Sequence, residues 1–461
     1  MERLTIREVI KAVRGELIYG SPQGKISGVS IDSRTIKKGE IFFALKGERF
    51  DGHDFLREAI DRGAKAAVVS KRKKFTTKIT IINVAQTLTA LQELAKFYRQ
   101  KFNPVVVGVT GSNGKTTTKD MLKVLLSSKY RVVATPGNYN NIVGLPLTLF
   151  KISPETEFLV LEMGANHAGE IKRLTEISLP QMGVITNIGA THLQFFRCIS
   201  NVLSAKMELV QLLPRRGKIA LNIDDSYLKS QFKRIKREII TFGINPQADV
   251  WANDVVVSSP GEKERLSFTV HVGRDRKEFD LYCLGRYNIY NALAAISVTK
   301  QFGISLSLMA DVFRKFKFPK LRMEKLKYGE VIIVNDAYNA NPTSVRAVLS
   351  EFISSFPSRR KIVVLGDMLE LGRMSGKFHQ EIGKIVATSP IHNLITIGED
   401  ARFMAQAAGK WGMEKKNIFY FKDKKVASRK LKELLEQKDA VLIKGSRKMG
   451  LEEVIRFLPK I

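Results

Sequence analysis

The fold is decided by the stretch of residues 105–118, which reads VVVGVTGSNGKTTT. Its first five residues carry no polar side chain, which predicts a parallel strand that is buried on both faces. A loop with two glycines follows, and a helical pattern begins at Thr116 and reaches about Ser128. A strand, a glycine loop and a helix in this order are typical of a nucleotide-binding P-loop in an α/β sheet.

The loop has the residue types that phosphate binding requires. Glycines let backbone N–H groups converge on phosphate oxygens, and the N-terminus of the helix adds a partial positive charge. Lys115 can reach the β- and γ-phosphates, and the Thr116 hydroxyl is placed to bind Mg²⁺. The usual pattern has a glycine where this chain has Val109, so a plain glycine turn is the alternative interpretation. The predicted nucleotide-binding residues of the loop are Gly111, Ser112, Asn113, Gly114, Lys115, Thr116 and Thr117.

The alternation of strand and helix patterns divides the chain into three parts. Residues 1–100 mix short strands and helices and predict a small mixed α/β N-terminal domain. Residues 101–314 contain the P-loop and predict a doubly wound α/β ATPase domain. Residues 315–461 alternate again and predict a C-terminal Rossmann-like domain, and the segment 313–320 predicts a linker. The predicted fold class is therefore α/β with three domains.

The composition is that of an ordinary globular protein with a strong positive charge. The chain has 461 residues, of which 44% are hydrophobic and 26% charged. The net charge is +31, from 76 Lys and Arg against 45 Asp and Glu. Nucleic acid is the obvious partner for such a balance, but the basic residues are scattered and no zinc-finger or RRM-type motif occurs. The charge therefore favours anionic substrates or a solvated basic surface, and nucleic-acid binding is not expected.

No segment of the sequence is typical of a membrane or secreted protein. No apolar run approaches the roughly 18 residues that a membrane helix needs, and the N-terminus lacks the apolar core of a signal peptide. Cys198 and Cys283 are too few for a disulfide framework and form no metal-binding pattern. We therefore expect a cytoplasmic protein without membrane insertion.

Three further side chains are candidates for the chemistry. Glu162 ends an apolar run, at the sheet edge where α/β proteins bind ligands, and a carboxylate there can hold Mg²⁺ directly or through water. A surface glutamate at a strand end is the alternative. By themselves His192 and Lys206 carry little signal, because a lone histidine is more often structural. A lone lysine more often lies on a solvated helix face.

Several further motifs are spread over nearly the whole chain. In the first part they occur at residues 32–34, 39–47 and 51–53. In the middle they occur at the P-loop and at residues 135–141, 161–167, 191–193 and 288–295. In the third part they occur at residues 336–342, 365–372 and 444–447. Together these motifs resemble those of the Mur ligases, and the last three and the run 162–167 are similar to those of the family members that add D-alanyl-D-alanine. The resemblance implies that residues 1–100 bind the UDP-linked substrate and that residues 315–461 form the ligase domain.

The resemblance implies an ATP-dependent ligase of peptidoglycan precursor synthesis, acting as a monomer. Its substrates would be UDP-N-acetylmuramoyl-tripeptide and D-alanyl-D-alanine. ATP would phosphorylate the C-terminal carboxylate of the tripeptide, and the amine of the dipeptide would attack the acyl phosphate. The products would be UDP-N-acetylmuramoyl-pentapeptide, ADP and phosphate. Because carboxylate and triphosphate repel each other, cations must bridge them, and the family implies two Mg²⁺ ions.

The resemblance also implies roles for individual residues. Thr116 and Glu162 would hold the metal at the β- and γ-phosphates. Glu162, His192 and a carbamylated Lys206 would shape the second metal site, because a carbamate is an anionic oxygen ligand that suits a hard cation. Arg322 would move onto the phosphates when the third domain closes. The implied catalytic residues are Lys115, Lys206, His192 and Arg322, the implied adenine and ribose contacts are Asn288, Asn291 and Asp336, and the implied substrate contacts are Ser33, Asn138 and Asn141.

Three positions differ from the family pattern. Leu321 stands where a glycine often precedes the arginine, and Tyr287 stands where a histidine commonly precedes the adenine asparagine. Residues 194–198, Gln-Phe-Phe-Arg-Cys, replace a more usual acidic stretch that contains glycine. These differences concern the placing of adenine and of the second metal.

Three alternative functions stay open at this point. The nearest is a sister Mur ligase that adds a single amino acid, against which the motifs at 338–342 and 444–447 argue. The second is a P-loop NTPase or kinase that forms no amide bond. The third is a basic scaffold protein with a vestigial nucleotide site.

Overall fold

The computed structural model describes residues 1–71, 78–258 and 264–458. In these residues the strands fall into three successive groups. The strands of residues 4–83 form a two-stranded and a five-stranded sheet, those of 105–281 form one nine-stranded sheet, and those of 324–444 form a six-stranded sheet. Helices alternate with many of these strands, so the predicted α/β fold class is confirmed.

The first group contains short strands and three α-helices in its described part. The strands are β1 (Leu4–Thr5), β2 (Glu16–Tyr19), β3 (Lys25–Ile26), β4 (Val29–Ser30), β5 (Ile41–Phe43), β6 (Ala66–Val69) and β7 (Thr80–Asn83). The helices are α1 (Ile6–Val13), α2 (Leu56–Asp61) and α3 (Thr87–Arg99). The five-stranded sheet has the order β2-β7-β6-β5-β4, with β2 antiparallel and the other pairs parallel. Helix α1 begins in a capping box, because Thr5 accepts the Glu8 N–H and Glu8 returns a hydrogen bond to the Thr5 N–H.

The middle group is the largest. Its strands are β8 (Val105–Thr110), β9 (Val132–Ala134), β10 (Phe158–Glu162), β11 (Met182–Ile185), β12 (Lys218–Asn222), β13 (Glu238–Gly243), β14 (Val250–Ser258), β15 (Arg265–Val272) and β16 (Asp275–Leu281). Its helices are α4 (Lys115–Ser127), α5 (Gly144–Leu149), α6 (Glu170–Ser178), α7 (Leu193–Phe196), α8 (Ile199–Leu212), α9 (Ser226–Lys229), α10 (Asn288–Thr299) and α11 (Leu306–Arg314).

The nine-stranded sheet combines a parallel centre with an antiparallel edge. Its order is β16-β15-β14-β13-β12-β11-β8-β10-β9, and every pair from β9 to β14 is parallel. Strand β8 lies between β10 and β11, and the side chains of Val106, Val107 and Val109 are completely buried, as predicted for this apolar run. The antiparallel strands β14 to β16 were not predicted, because β16 begins with four exposed, charged residues that resemble a solvated loop.

The third group forms a six-stranded sheet of the order β17-β18-β22-β19-β20-β21. Its strands are β17 (Glu324–Tyr328), β18 (Val331–Asn335), β19 (Lys361–Gly366), β20 (Asn393–Ile397), β21 (Ile418–Phe421) and β22 (Ala440–Lys444). Its helices are α12 (Pro342–Ser355), α13 (Ser375–Ala387), α14 (Arg402–Lys410), α15 (Lys424–Leu434) and α16 (Glu452–Arg456). Strand β17 is antiparallel to β18 and all other pairs are parallel, as in a Rossmann-like sheet.

The segment 313–320, predicted as a linker, begins inside a helix. Helix α11 ends at Arg314, and the rings of Phe313, Phe316 and Phe318 contact one another in succession, with centroid distances of 6.2 and 4.9 Å. Phe313 and Phe316 are buried in the core of the nine-stranded sheet. Apolar packing therefore anchors this connection, which the charged residues between the phenylalanines had concealed.

Each helix of the described chain lacks the length or the apolar character needed to cross a membrane.

Candidate active site

The P-loop lies between β8 and α4, at the carboxyl end of the strand. Gly111 and Gly114 have φ angles of +142° and +82°, a backbone region that favours glycine. A Cβ atom on Gly111 would lie 2.0 Å from Oγ1 of Thr186, and one on Gly114 would lie 2.2 Å from Oδ1 of Asn291. Both positions therefore require glycine for conformation and for space.

The loop is held by the segment that follows the neighbouring strand β11. The Asn113 N–H donates to Oδ1 of Asn187 at 2.9 Å, and the Asn113 carbonyl accepts from Oγ1 of Thr186 at 2.5 Å. Oγ of Ser112 accepts the Gly189 N–H at 2.9 Å. These supporting residues were not predicted from the sequence. The available signal was a polar segment directly after a buried strand at the same sheet edge.

Lys115 begins α4 and folds back over the loop. Its Nζ donates to the carbonyls of Gly111 at 2.8 Å and Ser112 at 3.1 Å. Burial lowers the pKa of the Lys115 ammonium, and the nearby negative charge of Glu162 opposes that change. The lysine therefore lies where an anionic ligand of the loop would meet it.

Glu162 is a buried residue, so the alternative of a surface glutamate is wrong. It ends β10, pairs in register with Val109 of β8, and is 1% exposed. Its Oε1 accepts from Nδ2 of Asn140 at 2.7 Å, whereas its Oε2 is buried without a hydrogen-bond partner among the described residues. A buried carboxylate oxygen without a partner is costly, and a bound cation would satisfy it.

Lys206 is also buried, on α8, so the alternative of a solvated lysine is wrong. The residue is 1% exposed. Burial, followed by the positive charge of Lys115, lowers the pKa of Lys206 to about 7, while Glu170 and Glu208 oppose the change. A large fraction of this amine is therefore neutral near neutral pH.

His192 lies between the P-loop and the third part of the chain. It precedes α7 with a φ of +54°, and its Nδ1 hydrogen-bonds to Oε2 of Glu370. The same hydrogen bond lowers the pKa of the Glu370 carboxyl. The preceding residue, Thr191, donates to Oγ of Ser112 at 3.4 Å, which places this turn beside the P-loop.

Arg322 reaches the P-loop from the third part of the chain. Its Nη2 donates to Oγ1 of Thr116 at 3.0 Å, and its guanidinium lies 4.0 Å from the ring centroid of Tyr338. Its Nε is buried without a hydrogen-bond partner in the described residues. A second contact runs from Nδ2 of Asn341 to Oδ1 of Asn113 at 2.7 Å. The third part is therefore docked on the phosphate loop in this structure.

Asp336 supports the segment that carries Arg322. Its Oδ1 accepts the Met323 N–H at 2.9 Å, and its Oδ2 accepts from Nζ of Lys444. Lys444 also donates to the carbonyl of Asn339 at 2.8 Å. The carboxylate thus links the arginine segment to the end of strand β22.

Asn288 and Asn291 lie at the start of α10 and connect it to the P-loop helix. Both are buried, and Nδ2 of Asn291 donates to Oδ1 of Asn288 at 3.0 Å. Oγ1 of Thr118, on α4, donates to Oδ1 of Asn291 at 3.3 Å. In the same region Tyr287 packs against the hydrophobic core of the third group of strands.

The three predicted substrate residues make their hydrogen bonds outside the P-loop. Ser33 is buried, and its hydroxyl donates to Oε2 of Glu58 at 2.8 Å. Asn138 and Asn141 are exposed, and Oδ1 of Asn141 accepts the Gly144 N–H at 2.8 Å at the start of α5. None of the three side chains hydrogen-bonds to the P-loop within the described chain.

The structure provides no ready-made metal cage in the described ranges. No three His, Cys, Asp or Glu side chains lie together there as a potential metal site. The predicted ligand set contains two such residues, Glu162 and His192, and takes its other groups from Thr116 and Lys206. Metal binding by this set therefore depends on Oε2 of Glu162, which has no hydrogen-bond partner among the described residues, and on whether Lys206 is carbamylated.

The fold and site define a P-loop α/β protein in which a second α/β unit presses an arginine onto the phosphate loop. Three family models match it: the "Mur ligase family, catalytic domain" at residues 25–99, the "Mur ligase middle domain" at 109–299, and the "Mur ligase, glutamate ligase domain" at 321–447. The chain belongs to the Mur ligase family.

Relatives and solved structures agree with this membership. A UDP-N-acetylmuramoyl-tripeptide–D-alanyl-D-alanine ligase of Bacillus subtilis is 37% identical, with 99% of both chains covered. The ligase of the same name from Escherichia coli is 32% identical, again with 99% of both covered. A crystal structure of MurF from Acinetobacter baumannii has a TM-score of 0.89 at 30% identity and 99% coverage of both chains. A structure of the Thermotoga maritima MurF ligase in complex with ADP has a TM-score of 0.83 at 29% identity, covering 94% of this chain and 96% of that one.

Proposed function

We propose that this protein joins D-alanyl-D-alanine to UDP-N-acetylmuramoyl-tripeptide with the use of ATP. The tripeptide carboxylate attacks the γ-phosphorus, ADP leaves, and an acyl phosphate forms. The dipeptide amine then attacks the acyl carbon, a C–N bond replaces the C–O bond to phosphate, and phosphate and a proton are released. The relatives named for this reaction, matched over nearly the full chain, support the substrates.

One observation carries the chemical part of the proposal. Lys115 and Arg322, from two different parts of the chain, converge on the phosphate loop, and the arginine bonds to Thr116 directly. Two cations at this point neutralise the repulsion between the carboxylate and the triphosphate and stabilise the charge that develops during phosphoryl transfer. The two residues thus act on the phosphoryl group, while the backbone of the loop orients it.

The residues near the loop fit Mg²⁺ because Oε2 of Glu162 is buried and lacks a partner. We assign Thr116 and Glu162 to one ion, and Glu162, His192 and a carbamylated Lys206 to a second. When bound, the ions would supply positive charge between the triphosphate and the tripeptide carboxylate.

The environment of Lys206 supports carbamylation. Only the neutral amine can attack the carbon of CO₂, losing a proton as the N–C bond forms, and the pKa of about 7 makes that form abundant at neutral pH. The carbamate would convert a buried base into an anionic oxygen ligand.

The remaining assignments follow the same division of the chain. We assign residues 1–100 to binding of the UDP substrate, 101–314 to binding of ATP, and 315–461 to ligation, in agreement with the three groups of strands in the described ranges. The reaction would occur in the cytoplasm, where ATP is supplied. The P-loop residues Gly111 to Thr117, with Asn288, Asn291 and Asp336, are assigned to the nucleotide, and Ser33, Asn138 and Asn141 are assigned to the peptide substrates.

The deciding experiment is mass spectrometry of the products formed from UDP-N-acetylmuramoyl-tripeptide, ATP and D-alanyl-D-alanine. We expect UDP-N-acetylmuramoyl-pentapeptide, with phosphate released only when both substrates are present. D-alanine alone serves as the matched control, because a sister ligase would accept a single amino acid. Phosphate release without the dipeptide, or addition of one alanine, would contradict the proposal.

A further inference from the structure

A loop of the third part of the chain, residues 367–372, brings a carboxylate to the candidate metal ligand His192. Oε2 of Glu370 hydrogen-bonds to Nδ1 of the imidazole, which leaves Nε2 as the ring nitrogen available to the site. The two residues are 178 positions apart, His192 in a segment after β11 of the nine-stranded sheet and Glu370 in the segment after β19 of the six-stranded sheet. The contact therefore exists only when the six-stranded sheet is docked on the nine-stranded one.

The loop is fastened on its own side by several hydrogen bonds. The Met368 N–H donates to Nε2 of His379 at 3.0 Å, and the Leu369 N–H donates to Oγ of Ser446 at 2.8 Å. The Ser446 N–H donates to the Asp367 carbonyl at 3.1 Å. These hydrogen bonds join the motifs at 365–372 and 444–447 and hold the loop that carries Glu370.

Glu370 itself adopts an unfavourable backbone conformation. Its φ is +63°, a region that residues with a side chain rarely adopt and that costs energy unless surrounding contacts enforce it. The Gln194 N–H donates to the Glu370 carbonyl at 2.9 Å. A Cβ atom on Gly372 would lie 3.0 Å from the Cα of Gln194, so the two backbones meet closely. The strain is thus enforced by contacts on both sides of the glutamate.

We propose that Glu370 is a positioning residue that fixes the ring orientation and the tautomer of His192 when the third domain is docked. This inference rests on the proposed function. A carboxylate that accepts from Nδ1–H keeps the proton there and presents the lone pair of Nε2 to the site. The catalytic centre of the second domain is therefore complete only after the third domain has delivered its carboxylate.

Nitrogen-15 NMR of the full chain labelled at histidine tests the contact without substrates, and the chain has only 6 histidines. We expect wild-type His192 to carry its proton on Nδ1 and Glu370→Ala to shift the proton to Nε2. Glu370→Gln retains an acceptor oxygen and should largely keep the wild-type tautomer. Glu381→Gln, a third-domain glutamate paired with Arg346, is the matched control and should change nothing.

Steady-state kinetics provides the second measurement. Glu370→Ala should lower kcat about 10- to 100-fold, the usual effect of removing the partner of a metal-binding histidine, with KM for ATP nearly unchanged because the P-loop is intact. Glu370→Gln should lower kcat less. An unchanged tautomer in Glu370→Ala, an Nε2 proton in wild type, or an equal rise in KM for ATP would overturn the inference. If wild type forms no pentapeptide, the proposed function fails, whereas the NMR result still decides the contact.

Discussion

The two sides of the candidate site are built in different ways. The P-loop side takes its shape from one sheet, where the strand, the glycines and the segment after β11 hold it. The third-domain side consists of Arg322, Asn341 and Glu370, which reach the P-loop region across 206, 228 and 178 residues of sequence. The first side is formed within one domain, whereas the second depends on docking. Substitutions on the first side should therefore affect nucleotide binding and catalysis together, and those on the second should affect catalysis alone.

Lys115→Ala should give the largest effect. We expect ligation to fall by about 10³-fold or more, because positioning of the phosphates and charge neutralisation are lost together. The expected loss includes weaker ATP binding, measured by calorimetry beside the product assay. Lys123→Ala, an exposed lysine of the same helix, is the control and should retain full activity. Full activity of Lys115→Ala would remove the P-loop from the mechanism.

Lys206→Ala should be nearly inactive, with a loss on the order of 10²- to 10³-fold if the residue supplies a metal ligand. Short carboxylic acids such as acetate should restore part of the activity, because they can occupy the space and supply the lost oxygens. Lys115→Ala should show no such rescue. An active Lys206→Ala variant in the absence of added acid would exclude the carbamate.

The local part of the site could be predicted from sequence because its determinants are neighbours along the chain. The strand, the loop and helix α4 follow one another, and Glu162 ends a strand that pairs with β8. Asn140 and Glu370 were missed as partners of Glu162 and His192, since their positions depend on how separate loops meet in space. No periodicity in the sequence reports such a meeting.

Leu321, which differs from the family pattern, shows a related limit on what the sequence can predict. The family often has glycine at this position, and the structure supplies the physical reason. Leu321 and Met323 have φ angles of +61° and +51°, so both residues beside Arg322 adopt the conformation that glycine favours. The Asp336 carboxylate, which accepts the Met323 N–H, helps to enforce this conformation. The sequence alone showed that leucine is unusual at position 321, but it could not predict the compensating hydrogen bond from the Met323 N–H to Asp336.

Arg322→Ala sharpens the comparison between the two sides. We expect ligation to fall about 10²-fold or more, because a cation at the transferring phosphoryl group is lost, while ATP binding measured by calorimetry stays close to wild type. Arg322→Lys should recover only part of the rate, since an ammonium cannot reproduce the stacking on Tyr338 together with the bond to Thr116. Arg346→Ala, a third-domain arginine outside the site, is the control. If Arg322→Ala weakened ATP binding as much as Lys115→Ala, the proposed difference between the sides would be wrong.

Asn341→Ala should have the smallest effect and tests docking itself. The substitution removes the 2.7 Å hydrogen bond to Asn113 and the side-chain cap of α12, a combined loss of about 1–2 kcal/mol that should reduce kcat several-fold. Asn341→Asp keeps the cap oxygen but removes the amide donor, so it separates helix capping from docking.

Small-angle scattering with an ATP analogue and the tripeptide substrate should show a more open average shape for both variants than for wild type. If only Asn341→Ala opens, the cap rather than the bond to the P-loop controls docking. If neither variant opens, the third domain is held by Arg322 and Glu370 without help from this contact, and the dependence of the second side on docking then rests on those two residues.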